Sequence, residues 1–184
     1  NKEKEIDKDD KKKLIRLKSL KISVDYNLAL YYDSQALFDH SHFLYKKIIN
    51  ENPYFIEAYI KLSELYRMRG NKIKTESYIK LAIEEHFKIK LPEDYINYMK
   101  ENNGFVGTIG ENYYDIWNIE DIVSSNEDYQ TQEFFPNLIY FGSDGGDEAY
   151  AFDKSENMCI VSVPFIGTEE DKIKVADNFK EFIK

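Results

Sequence analysis

Residues 91–117 read LPEDYINYMKENNGFVGTIGENYYDIW, and their period changes partway through. The first half is helical in pattern. Tyr95, Tyr98 and Met99 stand at i, i+3 and i+4, one face of a 3.6-residue turn. Pro92 suits a first turn, and Glu93 and Asp94 favour the positive end of the helix dipole. Asn103 and Gly104 end the pattern. From Phe105 the spacing becomes that of strands. Phe105–Ile109 is short and apolar, and Tyr113–Trp117 is aromatic and branched.

Further strand-like runs follow downstream. Leu138–Phe141 comes after Pro136, Glu148–Phe152 after the loop Gly142–Asp147, and Met158–Val163 after the turn at residues 154–157. The last contains Cys159, the sole cysteine, which is expected to be a small buried apolar residue. Thr168, followed by three acidic residues, is expected to cap a final helix that turns Ile173, Ala176, Phe179 and Phe182 inward. Helix, antiparallel meander, helix is an α+β order.

Upstream, a 34-residue period is visible. Leu28, Ala29 and Tyr32 recur as Leu62, Ser63 and Tyr66, and Tyr45 and Ile48 recur as Ile79 and Ala82. That length is the tetratricopeptide period. Tyr59, Leu62 and Tyr66 share one helical face, and Gly70 ends that helix. In the first copy Asp25 takes the aromatic position and Ala36 replaces the turn glycine. Two such repeats seldom bury enough surface alone, so a fused two-module body is expected. The organisation expected is a charged arm or helix extension (1–21), tetratricopeptide-like α-hairpins (22–87) and an α+β module with a curved antiparallel sheet and flanking helices (88–184).

Composition narrows the function. The chain has 184 residues, 42% apolar and 15% aromatic, with a net charge of -9 and a mean hydropathy of -0.59. This suits a soluble protein, without a membrane span or an apolar signal core, so the cytoplasm is the expected location. Residues 1–89 hold 18 Lys and Arg against 14 Asp and Glu, whereas residues 90–184 hold 7 Lys against 20 acids, with no Arg or His. An acidic module repels nucleic acid and attracts basic partners. Without His it cannot assemble a Ser/His/Asp or Cys/His nucleophile system. The Asp144–Asp147 loop lacks the acidic spacing of a helix-loop-helix calcium site. His40 and His42 lie two apart in a helical stretch, on different faces, and make poor paired ligands. No catalytic, metal or cofactor site is expected, and the module reads as a non-enzymatic binder.

The second module also resembles a known family. Leu91-Pro92-Glu93-Asp94-Tyr95, Asn103-Gly104, Trp117 with Ile119-Glu120-Asp121-Ile122, Phe135-Pro136, Leu138-Ile139, Phe141-Gly142, Asp144-Gly145-Gly146-Asp147 and Phe152-Asp153 follow one another at the spacing of the SUKH superfamily. That superfamily groups yeast cell-wall-assembly regulators of the Smi/Knr type with bacterial immunity proteins. One departure is Phe105, where many members have a second glycine. The resemblance implies a curved sheet used for docking and, in bacterial members, neutralisation of a cognate polymorphic or contact-dependent toxin, often a nuclease. The candidate partner-binding residues are Asp115, Glu120, Asp121, Asp144, Asp147 and Glu148, chosen for charge and position, with Trp117 as either a packing residue or an anchor. The rival reading is a peptide-binding scaffold using the helical groove, and a cell-wall-type regulator is a third.

Overall fold

The computed structural model describes residues 8–184. Residues 1–7 of the expected arm, Ile6 included, lie outside the described residues. Four helices come first: α1 (Lys8–Ser34), α2 (Phe38–Glu51), α3 (Ile56–Met68) and α4 (Lys72–Phe87). The chain divides into two compact units, one ending at Tyr78 and the other running Ile79–Lys184, so the division falls inside α4.

In the first unit α1, α2 and α3 are joined by short turns, and the ends of α1 and α3 are built alike. Ala36 N–H donates to the Asp33 carbonyl and Leu37 N–H to that of Tyr32, both at 2.9 Å. Thirty-four residues on, Gly70 N–H donates to Arg67 and Asn71 N–H to Tyr66, also both at 2.9 Å. Gly70 has φ +68° and Ala36 has φ +56°. The period therefore repeats in the backbone, and Ala36 holds the left-handed conformation although it carries a Cβ. Leu44, Tyr45 and Ile48 of α2 pack with Ala58, Leu62 and Leu65 of α3 and with Ile22 and Ala29 of α1. His42 Nε2 lies 2.8 Å from the Tyr66 hydroxyl, while the His40 ring packs beside Tyr32. The two histidines serve different neighbours.

The second unit is α+β. After α5 (Glu93–Asn102) come β1 (Phe105–Ile109), β2 (Asn112–Ile116), α6 (Ile122–Asp128), α7 (Thr131–Phe134), β3 (Leu138–Ser143), β4 (Glu148–Asp153), β5 (Cys159–Pro164), β6 (Ile173–Ala176) and α8 (Phe179–Phe182). The six strands form one antiparallel sheet in sequence order. One face carries Tyr114, Phe141, Tyr150 and Phe152, packed with Tyr95 of α5 and with Phe179 and Phe182 of α8. The other carries Leu138, Tyr140, Ala149, Ala151, Cys159, Val161 and Val163 with Phe135. Cys159 is a buried free thiol, and burial raises its pKa.

One expected element is different. Thr168 caps only a three-residue turn, Glu169–Asp171, through reciprocal bonds with Asp171. The chain then becomes β6, not helix. Ile173-Lys174-Val175 alternates branched and polar side chains, which suits a sheet edge. Asn178 starts α8 afresh by accepting from Glu181 N–H at 3.0 Å.

Two polar devices hold the sheet. Asp153, fully buried at the end of β4, accepts from Lys172 Nζ at 2.5 Å and from Ser155 N–H and Oγ–H at 2.8 and 2.6 Å. Burial alone would raise its carboxyl pKa. The Lys172 ammonium and the Ser155 donors outweigh burial and hold it below the ordinary carboxylate range. The second device is Asn126. β2 pairs with β3 at Asp115↔Ser143 and Ile116↔Gly142, and the contact ends where Trp117 N–H donates to the Phe141 carbonyl at 3.0 Å. Beyond that point Asn126 of α6 takes over: its amide donates to the Tyr140 carbonyl at 2.8 Å and its oxygen accepts from Tyr140 N–H at 2.9 Å. A buried side chain thus replaces a strand.

Candidate functional site

The turn from α5 into β1 sets the position of the next strand's end. Asn103 has φ +45° and Gly104 φ +100°. A Cβ on Gly104 would sit 2.8 Å from the Ile116 carbonyl and 2.9 Å from Asn118 Oδ1. Only glycine allows this approach, and it brings the start of β1 against the exit of β2. Asn103 completes the junction. Its Oδ1 accepts from Ile119 N–H at 3.2 Å, and its amide donates to Glu120 Oε2 at 3.0 Å.

Between these elements lies a cleft of about 290 Å³ lined by Phe105, Val106, Asp115, Ile116, Trp117, Asn118, Asp121 and Ser125. Asp115 and Trp117 share a face of the strand because side chains alternate along it. The 3₁₀ turn Ile119–Asp121 brings Asp121 round to the same cleft, where its Oδ2 accepts from Asn118 Nδ2 at 3.0 Å. None of the eight lining residues is basic.

Trp117 forms the wall towards the rest of the sheet. Its ring lies parallel to that of Tyr129, with centroids 5.8 Å apart and planes at 4°. Tyr129 in turn stacks on Phe165 at 4.6 Å and 20°. Tyr140 lies beneath, edge-on to both Tyr129 and Phe165. Its buried hydroxyl has no partner among the described residues, and burial raises its pKa. Tyr129 is exposed, and Trp117 and Phe165 are half-buried. The result is a three-ring ledge beside a carboxylate-bearing cleft. Such rings offer large rigid contact area and faces that attract cations.

The structure brings together some of the expected contact residues and separates others. Asp115, Trp117 and Asp121 meet in the cleft. Asp147 is exposed next to the ledge, and its carbonyl accepts from Phe165 N–H at 2.9 Å. The other three carboxylates have internal work. Glu120 faces Asn103 of the α5 terminus. Asp144 Oδ1 accepts from the N–H groups of Gly146 and Glu148 at 2.8 and 3.1 Å, which folds the loop. Glu148 takes the Ser162 hydroxyl on the opposite face of the sheet. Sequence reading missed Tyr129 and Phe165. No spacing links them to Trp117, since the stack is assembled from three separate turns.

Among the described residues no group of three or more His, Cys, Asp or Glu side chains is gathered to hold a metal ion, and no helix is long and apolar enough to cross a membrane. Residues 75–184, more than half of the chain, match the model of the SMI1 / KNR4 family (SUKH-1).

Proposed function

We propose, because this chain belongs to the SMI1 / KNR4 family (SUKH-1), that it is a non-enzymatic immunity protein that binds and neutralises a cognate protein toxin. The observation that carries the reading is the cleft holding Asp115 and Asp121 without a basic lining residue, walled by the Trp117–Tyr129–Phe165 ledge. A basic effector, such as a nuclease, presents the cations such a surface recognises, on the same face that it uses to hold its own anionic substrate. Covering that face blocks the effector without any chemistry by the inhibitor. The protein acts in the cytoplasm, where such a toxin would be met, and needs neither nucleic acid nor membrane as a partner.

The test is co-expression with the product of the gene immediately upstream. Cells should be protected, and a complex should purify from them. Trp117→Ala and Asp121→Lys should each weaken that complex at least tenfold, the range of an interface hot spot. Added salt should slow association. Absence of both protection and complex with any neighbouring toxin overturns the reading.

A second reading has its own observation. The helix ends repeated at Ala36 and Gly70 favour tetratricopeptide-like hairpins in the first unit. Arrays of that kind bind peptides on a concave surface, as a scaffold or a cell-wall-type regulator would. Loss of partner binding from surface changes in residues 25–85 alone would favour it.

A further inference from the structure

The sheet ends at two strands, β1 and β6, and they are finished differently. β6 is four residues long and carries Lys174, with Lys172 just before it. Shortness and lysine are two of the ways in which an edge is kept from pairing with another chain. β1, Phe105–Ile109, is uncharged and has no proline, and its pairing with β2 runs without a bulge.

Which backbone groups β1 leaves open follows from its turn. Gly110 and Glu111 make a two-residue hairpin closed by Ile109↔Asn112, with Gly110 at φ +64°. The closing pair of such a hairpin exchanges both hydrogen bonds, and bonded pairs then alternate. Ile109, Gly107 and Phe105 therefore bond to β2, while Thr108 and Val106 turn their N–H and C=O groups outward. Both are exposed, Val106 by 67%. Neither backbone exchanges a hydrogen bond with a described residue beyond the sheet.

This open edge adjoins the acidic cleft. Val106 stands opposite Asp115 in the register and lines the cleft with it. On the other face the Phe105 ring lies across Gly107, 3.1 Å from where a Cβ would be. A strand laid antiparallel on β1 puts the side chain opposite Val106 on the carboxylate face, two strand spacings or about 10 Å from the Asp115 backbone. A long cation suits that position. The next side chain, opposite Gly107, falls beside the Phe105 ring, where an apolar one suits.

Charge selects the occupant. A second copy paired through β1 would continue the sheet and bring two acidic clefts onto one face, between modules that each hold 20 acids against 7 Lys. A basic strand meets no such opposition. We infer that β1 takes an extended basic segment of the protein partner as a further strand, bonded to the Val106 and Thr108 backbone, with alternate lysine or arginine side chains reaching the cleft. That the partner is a basic protein rests on the function proposed above.

The probe is an acetylated, amidated heptapeptide of alternating lysine and valine, lysine at both ends, titrated into the isotope-labelled chain. The Val106 and Thr108 amide signals should shift, and at saturation their exchange with solvent should slow. The glutamate–valine counterpart should not bind, and salt should weaken the lysine peptide. N-methylation of the lysines removes the strand's inward N–H groups without altering the protein, and should abolish binding. Val106→Pro removes an outward N–H and no bond to β2, so it should fold as the parent does and bind about tenfold more weakly, the worth of a lost hydrogen bond. Binding of neither peptide, equal binding of both, survival of the N-methylated form, or unchanged Val106 and Thr108 amides would each overturn the proposal. The co-expressed complex tells this failure from that of the immunity reading. A toxin complex that Val106→Pro leaves intact overturns the added strand and keeps the immunity reading. Peptide pairing on β1 without any toxin complex keeps the strand and overturns that reading.

Discussion

The two units solve the same problem, burying apolar side chains, with different kinds of information. The first does it by repetition. A helix end is built once at Ala36 and again at Gly70 with the same hydrogen bonds, and a single apolar cluster runs through α1, α2 and α3. The second does it once only, through contacts far apart in sequence. Asn126 closes the side of β3 that β2 leaves, Lys172 satisfies Asp153, and Gly104 lets β1 approach the exit of β2. A repeat spreads its stability over equivalent parts. A closed α+β unit concentrates it in a few positions with no duplicate.

That contrast can be broken most forcefully at Lys172. Lys172→Met leaves the buried Asp153 carboxylate without its cation and should cost about 3–5 kcal/mol at neutral pH, read by denaturant unfolding. The pH dependence has a definite sign. Because the Asp153 pKa is depressed in the fold, its contribution is present above the ordinary carboxyl range and is lost as the pH falls through the folded pKa. The gap between Lys172→Met and the parent should therefore shrink as the pH falls below about 4. A gap that is constant with pH would mean that the ion pair contributes nothing.

Next in size is Asn126→Ala, which strands the N–H and C=O of Tyr140 together. A loss of about 2–4 kcal/mol is expected. Protection of the Tyr140 amide against hydrogen exchange should fall well below that of its neighbours. Equal protection would show that another group or a water has replaced the side chain.

The smallest effects sharpen the comparison most, because they set one glycine of each unit side by side. Gly104→Ala meets the Ile116 carbonyl at 2.8 Å and should cost about 2–3 kcal/mol. At Gly70 an added Cβ meets nothing within 4 Å, so Gly70→Ala should cost only about 1 kcal/mol, the penalty of φ > 0. The reciprocal change, Ala36→Gly, should stabilise by about 0.5–1 kcal/mol. If Ala36→Gly destabilises instead, the two helix ends are not energetically equivalent, whatever their hydrogen bonds.

These same positions show what can be read without coordinates. α5 and β1 follow directly from residues 91–109, because a helical stripe, an Asn-Gly stop and a strand run are all local signals. The turn at Gly70 was equally plain. The final helix was misread. Thr168 and its acidic followers are a true capping signal, but the turn they cap is only three residues long. Only pairing with β5 makes the next residues a strand. Half of the candidate site was visible as charge and a lone tryptophan in a β2 run. The other half was not, since Tyr129 and Phe165 reach Trp117 only after the sheet has formed. Local patterning cannot say which carboxylates are spent internally either, as Asp144, Glu148 and Glu120 show.

The position of Trp117 has a practical consequence. It is the only tryptophan in the chain, and it stands at the wall of the cleft against Tyr129. Its fluorescence is therefore an intrinsic optical reporter of this one surface. A ligand seated on the ledge changes the polarity around a single indole, and titrations can be followed in the unmodified protein without any attached dye.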